Sequence, residues 1–99
     1  MGYVQPEDVN SPKGHWSLIA VLDAGSAGTS ALALGTWDGK PRLGMRWNGR
    51  DDSPVGNPQS RGLATWFMLE EKYHEAILQS GLLAADKLVL ARHFFPEKK

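Results

Sequence analysis

The 99-residue chain contains no cysteine. Disulfides and thiolate metal sites are therefore excluded. No apolar run approaches the roughly 20 residues that span a bilayer. The first residues, Met-Gly-Tyr-Val-Gln-Pro-Glu-Asp, lack the basic and apolar regions of a signal peptide. A cytoplasmic location, nucleoid association included, with no membrane partner is the expectation. There is no excess of charge either. Eleven Lys and Arg balance eleven Asp and Glu, which weighs against a strong polyanion binder. His15, His74 and His93 show no metal spacing such as His-x-x-x-His, and His74 reads as a surface residue. Gly25-Ser26-Ala27-Gly28 lacks the Lys-Ser/Thr ending of a phosphate loop, and Ser26 sits in no nucleophile elbow. Asp51-Asp52 reads as a solvated loop tip. Neither an enzyme nor a cofactor is expected.

The length suits one domain with a small core. Residues 1–14 hold two prolines and no periodicity, and read as a flexible leader. Residues 15–81 carry the organised pattern. Trp16 to Leu22 reads as a first strand. Thr29 to Trp37 and Lys40 to Trp47 alternate in period 2 around Asp38-Gly39, a pair suited to a type I′ hairpin turn. Asn48 to Ser60 is a long loop rich in turn formers, and Arg61 to Met68 reads as a fourth strand. Leu69 to Ser80 reads as a helix, with acidic residues in its first turn and a Tyr73, Ala76, Ile77, Ser80 stripe. Residues 82–99 form a C-terminal extension that can be read as strand or helix, with Ala84-Ala85 tilting it toward helix. The fold class is α+β, a four-stranded antiparallel sheet followed by a helix. Such a sheet leaves apolar surface for a second copy or a ligand.

The alternation also distributes chemistry. Ala33, Gly35 and Trp37 share one face of the first hairpin arm, opposite Leu32, Leu34 and Thr36. In the second arm Arg42, Gly44 and Arg46 share a face, opposite Leu43, Met45 and Trp47. Gly44 leaves a strip between two guanidinium groups along which a backbone or ligand can approach. Trp37 at the hairpin tip lies close to Lys40, and Arg50 and Arg61 flank the long loop. Lys40, Arg42, Arg46, Arg50 and Arg61 against Asp51 and Asp52 give residues 40–61 a local charge of +3. Cations beside aromatics on a strand suit single-stranded nucleic acid, because every base has a face to stack.

Trp37, Gly39-Lys40, Met45-Arg46-Trp47, Arg61-Gly62-Leu63 and the helix from Leu69 occur in an order that resembles a known family. It is that of the single-stranded DNA-binding transcriptional coactivators of the positive-cofactor-four type, with their bacterial and phage relatives. The resemblance covers about half the chain, residues 29 to 80. It implies a curved sheet backed by a helix, and a homodimer joined through the helices. It also implies contacts to DNA from Trp37, Lys40, Arg46, Trp47 and Arg61; Arg42 and Arg50 are added from the face pattern. Trp47 stands open between core and binding surface, since alternation sets it opposite Arg46. The chain is thus expected to be a non-enzymatic protein that binds single-stranded DNA or RNA. The alternative is a small protein-interaction module using the sheet or the apolar C-terminal tail.

Overall fold

The computed structural model describes residues 2–97. Met1 of the expected leader, and Lys98 and Lys99 of the extension, lie outside the described residues. Three long strands, β1 (Trp16–Asp23), β2 (Ser30–Trp37) and β3 (Lys40–Trp47), form an antiparallel meander. The β2–β3 turn has Asp38 at φ 50° and Gly39 at φ 85°, the backbone that a type I′ turn demands. Pairing between β2 and β3 runs without interruption from Ser30↔Trp47 to Trp37↔Lys40. Strand β1 shifts register twice, between Leu18 and Ala20 and between Val21 and Asp23.

The expected fourth strand, Arg61 to Met68, is reduced to two short pieces, and a third forms at the end of the expected loop. Gln59–Ser60 (β4) and Leu63–Ala64 (β5) form a miniature hairpin, and Phe67–Met68 (β6) joins β3 to complete the sheet order β1-β2-β3-β6. The break follows from Arg61-Gly62. Both residues hold positive φ, 53° and 79°, and turn the chain where the sequence reads as continuous strand.

The expected helix over 69–80 is also shorter. Leu69 donates its N–H to the Leu43 carbonyl along the β3 edge at 2.9 Å, and Glu70 is extended. A 3₁₀ turn, Glu71–Tyr73, then leads into α1 (His74–Leu78). The inward stripe is rotated by one position. His74 and Leu78 are buried, whereas Tyr73, Ala76 and Ser80 face outward. The extension forms a helix, α2 (Ala85–Phe94). No helix among the described residues is long and apolar enough to cross a membrane.

Both faces of the sheet are covered, and this is the main departure from expectation. Leu32, Leu34 and Leu43 pack with Leu22 against Leu78 of α1 and Ala91 of α2. On the other face Ala31 and Ala33 pack with Val9, Trp16, Ala64 and Trp66. The leader is therefore part of the body rather than a flexible arm. Trp66 Nε1 donates to the Val9 carbonyl at 2.6 Å, Leu18 N–H to Asn10 Oδ1 at 3.1 Å, and Val4 N–H to the Pro54 carbonyl at 2.9 Å. Likewise α2 is no appendage, because Leu88, Leu90, Phe94 and Phe95 pack against the Leu34–Leu43 core.

Candidate functional site

The face that carries Arg42, Gly44 and Arg46 is filled by the chain itself. A methyl group at Gly35 would sit within the Trp16 ring, and one at Gly44 would meet Trp66 Cβ at 3.3 Å. The strip at Gly44 is thus filled by Met68 and Trp66, and Gly35 lies against the Trp16 indole, whose ring centroid stands 6.3 Å from that of Trp66. Small residues on β2 and β3 make room for large ones arriving from residues 16 and 66.

Arg46 is 2% exposed. Its Nη1 donates to the Thr65 carbonyl at 2.9 Å and its Nη2 to the Val55 carbonyl. Burial lowers its pKa. Its terminal nitrogens tie together the segments that precede β4 and β6, and what remains of its surface lies at the wall of a groove shared with Trp47. Arg42 approaches Glu71 at 3.8 Å, so its charge is partly answered within the chain. Trp37 is half-buried and stacked on His15, with centroids 5.2 Å apart and rings 16° from parallel. His15 Nδ1 in turn lies 2.8 Å from Asp38 Oδ1. The ring face expected to receive a base already holds an imidazole.

Trp47 resolves the other way. It is 59% exposed, and no bulge separates it from the alternation of β3. It lies on the same face as Met45, and Met45 pairs with Phe67 of β6. Phe67 is 62% exposed. Two open aromatic rings therefore project from paired strands on one face, as diagonal neighbours roughly 7 Å apart by sheet geometry. A groove of about 540 Å³ runs between them, lined also by Met45, Arg46, Asn57, Pro58, Gln59 and Leu69. The bridge from Trp47 to Asn57, with N–H···O distances of 2.7 and 3.0 Å, holds its wall.

The remaining cations are unevenly placed. Arg50 is exposed and lines a second cleft with Trp47. Arg61 is exposed in the β4–β5 turn, and Lys40 at the far hairpin tip, away from Trp47. Of the seven residues expected to bind, Trp47 and Arg50 share a cleft, whereas Trp37, Lys40 and Arg42 belong to the turn end of the β2–β3 hairpin, opposite Trp47.

Phe67 was not legible as a site residue. Trp66-Phe67 must put one aromatic on each face, and only the register with β3 decides which ring is buried. His74, expected at the surface, is 5% exposed. Its Nε2 accepts the Leu43 N–H at 3.3 Å and its ring packs on Phe95, centroids 4.8 Å apart. Burial pushes its pKa below the ordinary histidine value; Arg42 adds to this, while the Leu69 carbonyl and Glu71 oppose it. No group of three metal-ligating side chains occurs among the described residues. No family model, curated protein or solved structure matches this chain.

Proposed function

We propose that this protein is a non-enzymatic binder of single-stranded nucleic acid, acting in transcription or DNA transactions through an aromatic platform formed by Trp47 and Phe67. One observation carries the reading: two solvent-exposed rings on adjacent paired strands, facing the same way, beside a groove. Large apolar rings left in water cost free energy unless a partner covers them. Base stacking supplies about 1–3 kcal/mol per ring and is tolerant of sequence. The platform replaces the Arg42–Arg46 face as the binding surface, with the exposed Arg50, which lines a cleft with Trp47, supplying a cation.

Titration of a fluorescent oligothymidine at low salt tests this. Saturable binding that weakens at least tenfold in a Trp47→Ala/Phe67→Ala double variant is expected. Equal binding by the double variant would refute it.

A protein partner is the second reading. An apolar furrow lined by Met45, Leu69, Tyr73, Ala76 and Ile77 continues from the platform along α1. The partner in this reading is a second copy of the chain, giving the homodimer that the resemblance implies. Sedimentation equilibrium of wild type and Ile77→Glu separates the two. A dimer lost in the variant, with no oligonucleotide binding by either protein, would favour this reading.

A further inference from the structure

The turn over residues 23–29 faces the loop over 48–57 across a polar cleft of about 450 Å³. Its two walls are tied together. Gly28 N–H donates to the Gly49 carbonyl at 3.0 Å, and Asn48 N–H to the Thr29 carbonyl at 2.9 Å. The Asn48 side chain donates from Nδ2 to the carbonyls of Ala24 at 2.8 Å and Ser26 at 3.1 Å. Asn48 is 4% exposed, and its Oδ1 is buried with no hydrogen-bond partner. The Arg50 guanidinium lies against Gly28, where an added methyl would meet Nη2 at 3.3 Å. No ion pair engages Arg50 among the described residues. Trp47 and Asp52 complete the lining.

Three recognition chemistries thus converge: an open aromatic face, a cation engaged in no ion pair among the described residues, and a carboxylate. A bare phosphate answers only Arg50 and is repelled by Asp52. A neutral apolar ligand answers only Trp47. A nucleotide within a strand brings all the complements: a ring to stack, a phosphate, and N–H donors on the base edge. Resting on the platform reading above, we infer that this cleft is its phosphate-anchoring pocket. One nucleotide stacks its base on Trp47, offers a donor group toward Asp52, and sets its phosphate on Arg50. The strand then runs across Trp47 toward Phe67, because Trp47 lines both the cleft and the groove.

The test compares full-length wild type, Arg50→Gln, Arg50→Lys and Trp47→Ala in binding oligothymidine, followed by tryptophan fluorescence at several salt concentrations. Arg50 takes part in no ion pair among the described residues, so unchanged urea midpoints are expected for both Arg50 variants. Arg50→Gln should weaken binding about fivefold and flatten the log K against log salt slope by about 0.7, the value of one single-strand phosphate. Arg50→Lys should restore the slope. Inorganic phosphate, at matched ionic strength, should not displace the strand. If wild type binds and Trp47→Ala is weakened while Arg50→Gln keeps both affinity and slope, the pocket is refuted and the platform stands. Displacement by millimolar phosphate would reduce the cleft to a simple anion site and also overturn the pocket. No binding by wild type at any salt would remove the platform reading and the pocket with it.

Discussion

Arg46 and His74 are titratable side chains that the fold takes out of water, and both anchor backbone. A buried cation is costly unless its hydrogen bonds are met. Arg46 meets the carbonyls of Thr65 and Val55, while its Nε stays without a partner. Arg46→Met should lower stability by about 2 kcal/mol, since two carbonyls lose a charged donor. Urea unfolding measures this, and oligonucleotide affinity of the folded variant should stay within twofold. An affinity loss without a stability loss would return Arg46 to the binding surface. His74 accepts a backbone N–H and so must be neutral at that nitrogen. Its folded pKa is depressed, chiefly by burial. The stabilisation is therefore complete above the unfolded value near 6.5 and fades as the pH falls through the lower folded value. Denaturation midpoints should drop between pH 7 and pH 5, and His74→Gln should flatten that drop. An identical pH profile in the variant would refute the assignment. In sequence, both residues read as surface groups. An arginine on an alternating strand looks solvent-facing, and a histidine beside glutamates looks exposed. What overrides this is the arrival of residues 55–66 and of α2, whose placement no local pattern encodes.

At the scale of elements, legibility followed the range of the interactions. The β2–β3 hairpin was readable because Asp38-Gly39 fixes the turn and the leucines fix the face. The α2 helix was readable only by a narrow preference. The packing of the leader is not legible because Pro6 and Val9 carry no periodicity, yet Val9 joins Trp16 of β1 in covering the second face of the meander. The hydrogen bond from Trp66 Nε1 to Val9 pins it. Trp66→Phe should cost about 1 kcal/mol for the lost bond and raise amide exchange at Val4 and Leu18, whose N–H partners depend on the docked leader. Unchanged exchange there would mean the leader is held by other contacts. For α2, removal of residues 82–97 strips cover from Leu34, Leu43 and Leu78. The truncated chain should lose cooperative thermal unfolding and bind a hydrophobic dye. A cooperative transition in the truncated protein would contradict the packing of α2 into the core. Glu75 links the two helices, its carboxylate 2.8 Å from both terminal nitrogens of Arg92. The pair is well formed but exposed on the Glu75 side, so its contribution is modest.

For the molecule as a whole, charge decides how strongly any nucleic acid can be held. Net charge is zero, and of the seven residues read as binding, the cations that share a cleft with Trp47 are the exposed Arg50 and the buried, hydrogen-bonded Arg46. Backbone neutralisation is therefore shallow. The log K against log salt slope should not exceed about −1.5, two phosphates' worth on a single strand. A slope near −4 would demand a basic surface elsewhere or a second copy contributing its own cations.

Strand β1 has a different consequence at this scale. Its outer margin is where another chain would add, and long bare margins invite runaway self-assembly. Two register shifts twist that margin, and Asn10 and Pro12 of the leader occupy its first donors, on Leu18 and Trp16. Residues 9–12 thus guard against fibre growth as well as filling core. A chain clipped by protease before Trp16 would be a template for aggregation, so the leader's integrity sets the storage life of the protein.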